Sequence, residues 1–111
     1  MIIGIDPSLS ATACVWGQDS GCESAVCFSE SRGQTVANRI MRLIELSGDV
    51  SATIPWNAEL VVIEGYGYGS QKGNQQAEFG GILRMELLKS GAKSIVEVAP
   101  SSVKMHCTLS L

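Results

Sequence analysis

Two stretches of this chain, Ile2-Ile3-Gly4-Ile5 and Leu60-Val61-Val62-Ile63, are apolar throughout, and each ends on a carboxylate, Asp6 and Glu64. A run with no polar alternation belongs to a strand buried on both faces, which is the signature of the parallel interior of an α/β sheet. Two such runs are therefore expected to be neighbouring parallel strands. Parallel neighbours need a crossover rather than a tight turn, so the sequence between and after them has to supply helices.

The remaining elements follow that requirement. Pro7-Ser8-Leu9-Ser10 breaks the first strand, and Ala11–Trp16 and Glu23–Ser29 read as two further strands around a turn at Gly17–Gly21, giving an antiparallel meander. Val36, Ile40, Leu43 and Ile44 recur at helical spacing, with Thr35 as N-cap and Gly48 as stop, and Ser51–Ala58 reads as a loop. After Glu64 a Gly/Tyr-rich loop leads to a helix capped at Asn74 and ended near Ser90 by Gly91. Gly80 and Gly81 within it predict a helix face held close to the sheet. Ser94–Ala99 is the fifth strand, and a last helical turn is expected around Val103–Cys107.

At 111 residues, with 45% hydrophobic and 17% charged, the chain is expected to form one domain with one core. No segment approaches about 18 consecutive apolar residues, which excludes a helical membrane span. The start lacks the pattern of an export signal, so a cytoplasmic location is expected. The four cysteines, Cys14, Cys22, Cys27 and Cys107, form no C-x-x-C pair, and His106 is the sole histidine, so the expectation is reduced thiols and no zinc site. A net charge of −3 runs against the basic surface of a typical nucleic-acid binder.

If the two apolar runs are adjacent, Asp6 and Glu64 emerge together at the carboxyl edge of the sheet, where open α/β sheets place their ligands. Two close carboxylates repel unless a cation neutralises them. Hard oxygen donors without histidine favour magnesium or manganese, and magnesium fills its other positions with water and substrate phosphate. Taken singly, Asp6 would be a turn residue before Pro7 and Glu64 a solvated strand end; the matched pair favours the metal.

The segments IIGIDPSLSATACV, VVIEGYGYGSQKGNQQAEFGGILRMEL and VEVAPSSVK resemble, in order and spacing, the RuvC family of Holliday-junction resolvases, particularly its phage and prophage members. The resemblance implies a ribonuclease H-like α/β fold: a mixed β-sheet built as a three-strand antiparallel meander followed by α-β-α-β. It also implies a homodimer and magnesium-dependent hydrolysis of phosphodiesters in four-way DNA junctions. Asp6 and Glu64 match the family's first two catalytic carboxylates and metal ligands, and Lys104 matches a lysine near the active site. The family's further acidic pair, on a later helix, has no counterpart here, so the domain at 1–111 is expected to be C-terminally incomplete, lacking the catalytic helix. The alternative that follows is a protein that binds branched DNA or dimerises without cleaving.

Other residues carry weaker readings. In the loop Gly65–Gly73, Tyr66 and Tyr68 are candidates to stack on bases and Lys72 to meet a phosphate, against packing of the tyrosines as a lid. Neither a Walker loop nor a dinucleotide fingerprint is present there. Ser8, Ser10 and Thr12 read first as loop residues, Arg39 and Arg42 with Glu45 as a solvated helix face, and Glu97 as a solvated strand residue. Phe79, Ile82 and Met85 are divided between the core and a dimer interface. A nucleotide-binding fragment of the sugar-kinase and actin type shares the acidic first strand, but such proteins need two domains of this kind.

Overall fold

The computed structural model describes residues 1–18, 21–29, 33, 35–55, 60–65 and 73–98. Five strands and two helices follow in the order β1 (Ile2–Asp6), β2 (Ala11–Gln18), β3 (Gly21–Phe28), α1 (Val36–Thr53), β4 (Leu60–Glu64), α2 (Gly73–Lys89) and β5 (Ile95–Val98). They form one mixed sheet in the order β3-β2-β1-β4-β5. The first three strands are the expected meander, and β1, β4 and β5 run parallel. The two apolar runs are direct neighbours in the middle of the sheet, with Ile5 opposite Ile63.

Both helices pack against one face. Ile3, Ile5, Cys14, Cys27, Val61 and Ile63 point towards Leu43, Leu46, Val50 and Ile54 from α1 and its C-cap, and Phe79, Leu83 and Leu87 from α2. The helices are also joined to each other by polar ties. Arg39 Nε donates to Glu78 Oε1 at 2.8 Å, and Ser51 Oγ to Ser90 Oγ at 2.6 Å.

Helix α1 starts as expected, with the Thr35 hydroxyl accepting from the Asn38 amide. It does not stop at Gly48. The chain continues to Thr53 because Val50 and Ile54 still fall on the buried stripe, and that burial outweighs the roughly 1 kcal/mol helix penalty of one glycine. Gly48 itself faces open space. Helix α2 begins at Gly73, one residue ahead of the expected cap, and ends as expected. Gly91, at φ 114°, donates to Leu88 O, and Ala92 donates to Leu87 O, the paired bonds of a Schellman stop. Of the two mid-helix glycines only Gly80 is buried; Gly81 is exposed, with nothing near its missing Cβ.

The expectation of reduced thiols holds for Cys14 and Cys27, which are free and buried, and fails for Cys22, which is disulfide-bonded. The expected terminal helical turn lies outside the described residues.

Candidate functional site

Asp6 and Glu64 are each one residue beyond the Ile5–Ile63 register pair, so they occupy matching positions on adjacent parallel strands. Backbones at such positions lie about 4.8 Å apart. Ile5 and Ile63 are fully buried under the helices, and alternation turns the next side chain on each strand to the opposite face. Both carboxylates are therefore on the same side of the sheet, at its carboxyl edge, and both are half-buried.

The edge is held from several directions. Gly65 N donates to Val98 O at 2.8 Å, which extends the β4–β5 ladder past Glu64. On the Asp6 side the loop 7–10 is tied down by Thr12, whose hydroxyl donates to Ser8 O at 2.9 Å and accepts from Ser8 N at 3.1 Å. Thr12 is fully buried, so its hydroxyl serves this loop and not an incoming phosphate. Gln76 of α2 donates from Nε2 to Pro7 O at 2.7 Å. Arg42 of α1 donates to both Leu9 O, at 2.7 Å, and Ser29 Oγ, at 2.9 Å, while Ser29 Oγ donates to Leu9 O at 2.6 Å.

Arg39 and Arg42 are thus corrected from a solvated face to structural ties, one bridging the helices and the other fixing the loop after Asp6. Glu97 is a solvated strand residue, as expected, with its side chain 55% exposed. It lies opposite Ile63 on the helix-covered face and takes a 2.9 Å ion pair from Arg84 Nε, which separates it from the Asp6–Glu64 side. Phe79 is fully buried in the core, and Ile82 is packed against it, so of the three residues considered for an interface only Met85 stands exposed.

Tyr66, Tyr68, Lys72 and Lys104 lie outside the described residues. Among the described residues no cluster of three or more His, Cys, Asp or Glu is placed to hold a metal. Among the described residues the donor set at the edge is consequently two carboxylates without nitrogen or sulfur. That set fits a single hard cation completed by water and phosphate oxygens, and does not fit zinc.

Sequence reasoning missed Arg42, Ser29 and Gln76. Their partners are backbone carbonyls of Pro7 and Leu9, far away in the chain, and neither a period nor a motif marks a residue that recognises a carbonyl. The only available signal was a loop whose carbonyls needed donors.

These elements define a ribonuclease H-like α/β sheet with an acidic pair at its parallel edge. Among solved structures the chain shares this fold with Thermus thermophilus RuvC: TM-score 0.67 at 16% identity, covering 94% of this chain and 66% of that one. The T. thermophilus RuvC in complex with a Holliday junction substrate gives TM-score 0.62 at 14% identity, covering 94% of this chain and 67% of that one. The chain thus has the RuvC fold and spans about two thirds of the length of these proteins. No protein-family model and no curated protein sequence matches it. No helix among the described residues is long and apolar enough to cross a membrane.

Proposed function

We propose that the chain is a magnesium-dependent, structure-selective endodeoxyribonuclease of the RuvC type, acting on four-way DNA junctions. The observation that carries this reading is the placement of Asp6 and Glu64 in register on adjacent parallel strands, one residue past the buried Ile5–Ile63 pair. A fold neighbour bound to a Holliday junction supports the choice of substrate.

In this reading Asp6 and Glu64 hold magnesium, or manganese in its place, and the ion supplies Lewis-acid stabilisation of the phosphoryl oxygens. The chain's own contribution is position. Arg42, Ser29, Thr12 and Gln76 keep the loop after Asp6 from moving, so the two carboxylates meet the substrate preorganised. Tyr66 and Tyr68 are assigned to stacking on unpaired bases, Lys72 to a backbone phosphate and Lys104 to the scissile one. Met85 and Leu88, exposed on α2, are assigned to contact with a second copy of the chain.

A second reading has its own observation: the described residues bring only two carboxylates together, where a two-metal site needs more. In that case the protein binds branched DNA without cutting it. The deciding experiment is a cleavage assay on a synthetic four-way junction with and without magnesium, using the full chain beside Asp6→Asn and Glu64→Gln. Magnesium-dependent nicking lost in both variants is the expected result. Salt-sensitive binding without nicking would replace the first reading by the second, and nicking that persists in both variants would remove the carboxylate pair from the mechanism.

A further inference from the structure

Strand β5 forms one edge of the sheet, and among the described residues no strand pairs with its outer side. Its inner side is taken up by β4: Ser94 O accepts from Val61 N at 3.0 Å and Val98 O from Gly65 N at 2.8 Å. In such a ladder alternate residues turn to the same neighbour, so Ser94, Val96 and Val98 face β4 while the N–H and C=O groups of Ile95 and Glu97 point outward. Outward groups of this kind are a template for another strand.

The side chains on this edge form a series that complements itself. Ile95 and Glu97 lie opposite Val61 and Ile63 on the helix-covered face, and the alternation of an extended chain puts the exposed Lys93 on that side too. A positive, an apolar and a negative residue thus follow at equal intervals along the edge. Arg84 Nε holds Glu97 Oε1 at 2.9 Å, and the exposed Glu97 side chain can still be reached from outside. Beside the strand lies a groove of about 490 Å³, lined by Arg84, Leu88, Ile95 and Glu97, with Leu88 60% exposed.

We propose that β5 pairs antiparallel with β5 of a second copy of the chain, about a two-fold axis at Ile95, joining two five-stranded sheets into one. In this register Ile95 faces its own counterpart and each Lys93 faces the other copy's Glu97, so two ion pairs flank an apolar centre. Charge selects the register. Centring on Glu97 would set two carboxylates against each other, and centring on Val96 would set Glu97 against Ile95 and leave Lys93 without an acid opposite. The Leu88 side chains of the two copies then close over the Ile95 pair from α2, which covers both grooves. The inference rests on the assignment of Leu88 to a second copy and adds the strand, the axis and the register.

The pairing has a consequence for the carboxylates. Its axis is perpendicular to the sheet, so both Asp6–Glu64 edges lie on the same side of the joined sheet. Glu64 is level with Val98, three residues from the axis. Three strand steps of about 4.8 Å across and six residues of about 3.3 Å along put the two Glu64 positions about 25 Å apart. One DNA molecule lying on that side can reach both.

Sedimentation equilibrium and amide hydrogen exchange of the full chain, each over a range of protein concentrations, test the proposal. The expected result is a monomer–dimer equilibrium in which the Ile95 and Glu97 amides exchange at least about 10-fold more slowly where the dimer is favoured. Lys93→Glu is expected to raise the Kd of the dimer by about 10-fold or more, and Lys93→Glu with Glu97→Lys to bring it back within about 3-fold of the parent. Circular dichroism checks that both variants are folded, and where Glu97→Lys does not fold, amide exchange decides. A monomer at every concentration, or a Kd unmoved by Lys93→Glu, would overturn the proposal. A dimer lost in Leu88→Ser whose Ile95 and Glu97 amides exchange at one rate throughout would overturn it too, while leaving the contact at Leu88 standing. Neither measurement uses nicking, so the outcome is separate from that of the cleavage assay.

Discussion

Arg42, in the second turn of α1, donates from Nη2 to the carbonyl oxygen of Leu9 at 2.7 Å, and by this bond the helix fixes the loop that follows Asp6. The same guanidinium holds Ser29 Oγ, which itself donates to Leu9 O, so two donors linked to each other close on one carbonyl. Removing the arginine leaves that carbonyl with one donor. Hydrogen bonds from charged donors contribute about 1.5–3 kcal/mol, and Arg42→Ala is expected to lower unfolding stability by roughly that amount in urea titrations. Arg42→Lys is expected to restore only part of it, because an ammonium cannot match the guanidinium fork.

The carboxylate pair makes a prediction that does not depend on nuclease activity. Asp6 and Glu64 are adjacent without a third acidic group among the described residues, so cation binding should rest on both. Magnesium or manganese at ten times its Kd is expected to raise stability by about 1.4 kcal/mol, read as a higher melting temperature. Asp6→Asn and Glu64→Gln are each expected to abolish the metal-dependent rise. An undiminished rise in either variant would place the cation elsewhere.

Much of this arrangement was legible in the sequence because it depends on local chemistry. Continuous apolar runs predicted the central pair, the carboxylates that end them predicted the edge, and Thr35 and Gly91 marked helix boundaries through bonds to neighbouring residues. What escaped was set by distant partners. Gly48 reads as a stop until Val50 and Ile54 are seen under the sheet, and Arg42 reads as solvated until the Leu9 carbonyl is found beside it. The disulfide state of Cys22 was likewise invisible, because cysteine spacing alone does not say which thiols are oxidised.

The glycines separate propensity from packing. Added Cβ atoms at Gly48 and Gly81 meet nothing within 4 Å, and both residues are inside helices with φ in the ordinary range. Gly48→Ala and Gly81→Ala are each expected to stabilise by about 0.5–1 kcal/mol through lost freedom in the unfolded chain. Gly91 has equal space but φ of 114°, so Gly91→Ala is expected to destabilise by about 1–2 kcal/mol. Chemical denaturation of the three variants should give two shifts in one direction and one in the other.

Cys14 predicts a pH dependence. Its thiol is pushed up from the usual 9.0 to about 12, first by burial in the core and then by the neighbouring Cys27. A folded-state value above the unfolded one means that the neutral thiol favours the fold. That contribution is complete below about pH 9 and is lost as pH rises towards 12. Over this window each such group lowers stability by up to about 1.4 kcal/mol per pH unit. Stability measured between pH 8 and 11 is therefore expected to fall less steeply in Cys14→Ala than in the parent, although the variant starts lower because of the cavity it creates. Native Cys14 is also expected to resist iodoacetamide at pH 8 and to react once the chain is unfolded, since the thiolate is the nucleophile. Equal slopes, or rapid labelling of the native protein, would show that Cys14 is not held as a neutral core thiol.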